Sequence, residues 1–214
     1  MKKLKAKYVR LDRETRLYGM QRPIIGLTGG IATGKSTVSR LLATRGLDVI
    51  DADRLVKNIY KKTSTIDFIK GNFPAAWVNE EINFPSLRQL FYRDPGVKGQ
   101  IEEFIYQQLP EAFLDAMRKT SSKQDFIIYD VPLLFEKKLN EKVDLSVVVY
   151  APASVQKARL LDRDGHLEEM AALILKSQWE IEIKMEKAEF VIKNVGSMTE
   201  LAAETDQFLL QVLE

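Results

Sequence analysis

Eight consecutive residues, Gly29-Gly30-Ile31-Ala32-Thr33-Gly34-Lys35-Ser36, fit the pattern G-x-x-x-x-G-K-[ST] in full. Each residue type has a task in holding a polyphosphate. The glycines let the backbone turn sharply and approach phosphate with no Cβ in the way. The N–H groups of such a loop point inward as an anion-binding nest, and the helix that follows adds its positive end beneath the phosphates. Lys35 would reach the β- and γ-phosphates of ATP as a point charge, and the Ser36 hydroxyl would ligate magnesium. The surroundings fit as well: the buried-strand run Ile24 to Thr28 precedes the motif, and a helical stretch from about Lys35 to Thr44 follows it.

A site of this kind needs a further carboxylate near the magnesium. Asp130 follows Phe126-Ile127-Ile128-Tyr129, and Asp51 and Asp53 follow Val49-Ile50. In parallel sheets ligands bind outside the carboxyl ends of strands, so all three are candidates for the pocket that holds Lys35. Asp53 would act as general base toward an attacking hydroxyl, a role that contributes about 10²- to 10⁴-fold in rate. The competing reading is that Asp51 or Asp53 caps a helix opening there. Arg159 and Arg163 lie four apart and share a face if one helix runs through both. A late-arriving arginine can be worth about 10³- to 10⁵-fold in phosphoryl transfer; on a solvated face, pairs such as Arg159 with Asp162 would contribute little.

The elements that must position these groups follow from the alternation of short apolar runs with helical stretches, which predicts a parallel sheet flanked by helices. Gly46 would stop the first helix, and Leu47 to Ile50 reads as the second strand. The alternation lapses between about Arg54 and Ser122, where Ser86 to Arg93 and Val97 to Lys119 read as amphipathic helices punctuated by Pro85 and Pro95. This predicts a helical substrate-binding insertion over about 57–122. Phe126 to Tyr129 and Leu145 to Tyr150 are strands again. A helix over Ser154 to Asp162, a charged loop over Asp162 to Gly165 and a helix over Leu167 to Lys187 follow, with 159–187 as a lid. A strand over Glu189 to Lys193 and a helix over Thr199 to Leu213, capped by Thr199, close the chain. The fold class is α/β, a P-loop nucleoside-triphosphate-binding fold with an insertion and a lid.

Composition narrows the chemistry. The 214 residues contain no cysteine and a single histidine, His166, which removes disulfides and thiolate zinc sites. A metal would be held by oxygen ligands, as magnesium is. No apolar run reaches the roughly 18 residues of a membrane span, and the basic start lacks the apolar stretch of a secretory signal; the expectation is a cytoplasmic protein. The formal charge is +2, yet residues 1–22 hold eight Lys or Arg against two Asp or Glu. Residues 1–23 are expected to form a solvated or helical basic extension before a kinase domain over 24–214. The remainder is not basic enough to make nucleic acid the default partner.

The motifs, in this order, resemble the dephospho-coenzyme A kinase family. The resemblance rests on Gly26 to Thr37, Val49-Ile50-Asp51-Ala52-Asp53, Val131-Pro132-Leu133-Leu134-Phe135-Glu136, Arg163-Asp164, Gln178, Lys184, Ala188 and Val191-Ile192-Lys193-Asn194. It implies transfer of the ATP γ-phosphate to the ribose 3′-hydroxyl of dephospho-coenzyme A. It implies Asp53 as base, Lys35 and Ser36 on phosphate and magnesium, a lid carrying Arg159 and Arg163, and Asn194 near the adenine. It assigns Leu133, Leu134 and Glu136, with the insertion, to the acceptor side. Two positions depart from the family pattern: Phe84 stands where an arginine is usual, and Tyr106-Gln107 where a His-Pro pair is expected. A kinase of another small acceptor, such as a nucleoside monophosphate or a sugar acid, and a non-catalytic ATP sensor are the alternative readings.

Overall fold

The computed structural model describes residues 2–120, 124–164 and 178–214, without the side chains of Arg163 and Asp164. The chain divides into two compact units, one comprising Met1–Asp51 with Ser121–Glu214 and the other Ala52–Thr120. Among the described residues no helix is long and apolar enough to cross a membrane.

The first unit is built on strands β1 (Ile24–Gly29), β2 (Val49–Asp51), β5 (Ile127–Asp130), β6 (Leu145–Tyr150) and β7 (Phe190–Lys193). They pair in parallel in the order β2-β5-β1-β6-β7. β1 is central and buried throughout, as expected of an apolar run covered on both faces of a parallel sheet. The register sets Asp130 beside both Leu27 and Asp51, so two carboxylates close neighbouring strands at one end of the sheet. The core on these strands gathers Ile25, Leu27, Val147, Val149 and Ile192 with Val38 and Leu42 of helix α1 (Lys35–Thr44). Helix α1 ends as the sequence predicts: Gly46, at φ +76°, supplies the left-handed turn. Its N–H bonds Ala43 O, and the Leu47 N–H bonds Leu42 O, a Schellman closure with Leu47 and Leu42 together in the core.

Three local expectations change. Helix α6 (Ala153–Asp164) runs on through the expected charged loop as far as Asp164; Asp162 and Arg163 do nothing to break a helix, and Gly165 lies outside the described residues, as does His166. The helix expected over Leu167 to Lys187 is helical only at Ile181–Lys187 (α7) in its described part, because Gln178 to Glu180 are not helical; the rest of that span is not described. The closing helix α8 (Met198–Val212) is capped not by Thr199 but by Ser197, in a capping box with Glu200.

The basic arm is fastened to the first unit rather than solvated along its length. Leu4 forms a bridge with Leu213, and Leu4, Leu17 and Met20 are buried. Several of its charges meet helix ends. Lys5 Nζ donates to Leu210 O and Gln211 O at the end of α8, and Lys2 Nζ donates to Arg45 O at the end of α1, where cations complement the helix dipole. Further along, the Asp144 carboxylate collects the arm. It accepts from the N–H groups of Arg10 and Leu11, from Arg16 Nε at 2.7 Å and Nη2 at 3.0 Å, and from the N–H of Ile24 at the start of β1. Burial pushes this carboxyl up, but the Arg16 guanidinium and the backbone donors outweigh it and hold it below the ordinary range.

The second unit consists of α2 (Ala52–Ile59), α3 (Thr63–Asn72), the hairpin strands β3 (Trp77–Val78) and β4 (Glu81–Ile82), α4 (Phe84–Arg93) and α5 (Pro95–Arg118). Asn83 caps α4, and Asp94 caps α5 with Pro95 in its first turn. Ile59, Ile69, Phe73, Leu87, Ile101 and Ile105 form its core, and Phe68 stacks on Phe104 with ring centroids 3.9 Å apart. The hairpin is additional to the helices expected. Its loop residues Asn79 and Glu80 both take positive φ, as a two-residue primed turn requires.

Breaking a buried ion pair from one side costs about 3–5 kcal/mol, and Asp144 is wholly buried. Asp144→Ala is therefore expected to lower the unfolding free energy by about that amount in urea titrations at neutral pH. Because the folded carboxyl is more acidic than the unfolded one, its stabilisation is full above the ordinary value of about 4 and is lost as pH falls through the lower folded value. The gap between wild type and variant should accordingly narrow below about pH 4.

Candidate functional site

The phosphate motif connects the end of β1 to α1. Thr33 is buried in the loop, and both its N–H and its hydroxyl donate to Gly30 O, at 3.3 and 2.8 Å. Ala32 and Gly34 take positive φ, +57° and +91°. The N–H groups of Thr37 and Val38 close the first turn of α1 on Gly34 O, and a helix leaves its earliest N–H groups without intrahelical acceptors.

The outward carbonyls of the loop are occupied. Asn194, just past β7, donates from Nδ2 to Thr33 O at 2.7 Å. Arg159 donates from Nη1 to Ala32 O and Thr33 O, at 3.3 and 3.4 Å, and from Nη2 to Asn194 O and Oδ1. In this arrangement the Arg159 guanidinium braces the loop from its carbonyl side. It lies on α6, which also carries Arg163 one turn on, so the two do share a helix; the Arg163 side chain is outside the described residues.

Lys35 forms an ion pair with Asp130 Oδ1, and the Ser39 hydroxyl donates to Asp130 Oδ2. Asp130 is 2% exposed, so both partners satisfy a desolvated carboxylate. A cavity of about 420 Å³ lies against it, lined by Ser36, Ser39, Arg40, Ala43, Val49, Asp51 and Asp130. Ser36 is exposed. The structure thus brings together Lys35, Ser36, Asp51 and Asp130. Asp53 falls in the second unit, exposed in the first turn of α2.

The stretch after β5 divides. Leu133 is half-buried. Leu134 is fully buried, and a Cβ on Gly26 of β1 would come within 2.9 Å of its Cδ1. It is a core residue that fills the space a glycine leaves, which corrects its assignment to the acceptor side. Glu136 pairs with Lys184 Nζ at 2.7 Å and accepts the Trp179 N–H at 3.2 Å. Lys184, on α7, is wholly buried and also donates to Pro132 O and Gly29 O. Burial lowers its pKa, Glu136 offsets part of that, and nearby Lys35 lowers it further.

Ser39 falls outside the phosphate motif, yet the sequence carries a signal for it: it stands four residues beyond Lys35, the spacing that puts both on one helix face. For the buried contacts of Lys184 no pattern in the sequence announces a depth.

The dephospho-CoA kinase family model matches residues 23–200. A dephospho-CoA kinase of Fusobacterium nucleatum is 35% identical over 187 residues, 86% of this chain and 96% of its own length. One of Bartonella quintana is 34% identical over 194 residues, 89% of this chain and 96% of its own. The crystal structure of TT1252 from Thermus thermophilus covers 89% of this chain and 97% of its own with a TM-score of 0.81 at 27% identity. The arm before residue 23 lies outside the family match.

Gly34 gives a direct test of the loop. A Cβ there would fall 2.2 Å from Asn194 Nδ2, on a backbone at φ +91°. Gly34→Ala should weaken binding of a nucleoside triphosphate at least about tenfold in calorimetric titration, since displacing the clamp and straining the backbone each cost on the order of 1 kcal/mol or more. Adding Asn194→Ala would relieve the clash and leave the strain, so it should restore only part of the affinity.

Proposed function

We propose, for a chain that belongs to the dephospho-CoA kinase family, that it transfers the γ-phosphoryl group of ATP to the ribose 3′-hydroxyl of dephospho-coenzyme A, giving coenzyme A. The observation that carries this reading is the Lys35–Asp130 pair set under a complete phosphate loop, in a chain whose family match spans residues 23–200. One bond forms, from the 3′-oxygen to the γ-phosphorus, and one breaks, from that phosphorus to the β–γ bridging oxygen. The hydroxyl proton goes to Asp53, which we assign as general base.

The phosphates would be cradled by the loop residues Gly29 to Thr37 and would take Lys35 away from Asp130. Lys35 thereby exchanges one anion for another without losing a partner. The freed Asp130 carboxylate and the Ser36 hydroxyl line one cavity with Asp51. The described residues hold no group of three or more His, Cys, Asp or Glu placed to hold a metal ion by themselves. Magnesium fits such a place, because it binds through one or two carboxylates together with substrate phosphates. Ser36 and Asp130 would hold the ion, which would supply positive charge to offset that of the phosphates. Arg163, on the helix that already commits Arg159 to the loop, is assigned to the transferred phosphoryl group. Asn194 is assigned to the adenine side, and Leu133 and Glu136 to the acceptor. A cytoplasmic location accords with this chemistry.

A second reading, another acceptor, has one observation in its favour. Phe84, where the family pattern has arginine, is 48% exposed and packs edge-on against Tyr60. It lines a cavity of about 480 Å³ with Lys57, Lys61 and Trp77 in the second unit. An assay with ATP, magnesium and a panel of acceptors separates the two: turnover of another acceptor with none of dephospho-coenzyme A would overturn the first reading. In that assay Asp53→Asn should lower kcat by at least about 10² while leaving ATP binding nearly intact. Lys35→Ala should damage affinity and rate together, because its charge acts in ground and transition states alike.

A further inference from the structure

Lys184 has a fully buried ammonium group that the chemistry above does not use. An ammonium has three donors, and three acceptors surround this one: Glu136 Oε1 at 2.7 Å, Pro132 O at 3.1 Å and Gly29 O at 3.4 Å. A buried ion pair is weak grounds for stability, since apolar residues of similar volume often serve as well. The choice of acceptors indicates a different role. Gly29 is the last residue of β1 and the first of the phosphate loop. Pro132 lies two residues beyond Asp130, the carboxylate that Lys35 holds. Pro132 O also accepts the Thr28 hydroxyl, so the two strand ends are already tied once.

We propose that Lys184 is a positioning residue for phosphoryl transfer. It fixes the spacing between the phosphate loop and the strand end that bears Asp130 by donating to a carbonyl of each, Gly29 O and Pro132 O. The proposal rests on the kinase reading for its rate effect, but its effect on nucleotide binding stands apart from that reading. Geometry of this kind matters because displacing reacting groups by about 1 Å can cost on the order of 10² in rate.

The test compares wild type with Lys184→Met, which removes charge and donors, and Lys184→Gln, which removes charge and keeps an amide donor. Each is measured where circular dichroism shows the variant folded. The dissociation constant for ATP, kcat and KM for dephospho-coenzyme A are read separately. For Lys184→Met, ATP binding is expected to weaken and kcat to fall, each about 10-fold to 10²-fold. Lys184→Gln should lie between the two. A folded methionine variant with ATP affinity and kcat within twofold of wild type would overturn the proposal, whatever its melting temperature. If methionine does not fold, the glutamine variant decides by the same criterion, and failure of both to fold assigns Lys184 to folding alone and overturns it too. Wild type that binds ATP but leaves dephospho-coenzyme A untouched would refute the acceptor reading, while the ATP dissociation constants would still decide the case of Lys184.

Discussion

The central strand is held at each end by a buried charge. At its start, the Ile24 N–H is received by Asp144, which also gathers the arm through Arg16. At its finish, Gly29 O is met by Lys184, whose charge Glu136 balances. Between these points β1 is buried throughout and paired on both sides. The phosphate loop is hung from the final residues of β1, so a strand free to slide along its neighbours would carry the loop out of register with Asp130.

The loop itself follows from backbone accounting. A nest binds anions only if its N–H groups are free to point inward, and buried carbonyls must then find donors elsewhere. Here Gly30 O is taken by Thr33, Ala32 O and Thr33 O by Arg159, and Thr33 O also by Asn194. These donors come from within the loop, from α6 and from the chain after β7. Residues far apart in sequence thus hold one curve of backbone in the shape that phosphate needs, before any phosphate arrives.

Much of this is written locally in the chain and some is not. The strand–loop–helix around Lys35 was readable because apolar runs, glycines and the Gly46 stop all point to one answer. The strand Leu145–Tyr150 emerged with the bounds its β-rich run suggests. The hairpin at Asn79-Glu80 escaped because Glu at positive φ carries none of the glycine signal that marks such turns. The cap of α8 shifted from Thr199 to Ser197 since two hydroxyls stand close together where the helix starts and only geometry chooses between them. Leu134 read as part of a motif, yet its depth depends on the missing side chain at Gly26, on another strand. The arm's charges suggested solvent because carbonyls at helix ends, which receive Lys2 and Lys5, have no signature in sequence.

The contact between the arm and α8 gives the chain an almost circular course. The Glu214 N–H bonds Lys3 O at 2.9 Å and the Lys5 N–H bonds Val212 O at 2.9 Å, so the first and last described residues run side by side. The arm lies outside the family match, which begins at residue 23. Leu4 and Val212 are buried in the same core, so the arm and the last turn of α8 share one patch of packing as well as these bonds. A segment that frays there uncovers the other, so the two open and close as one local unit.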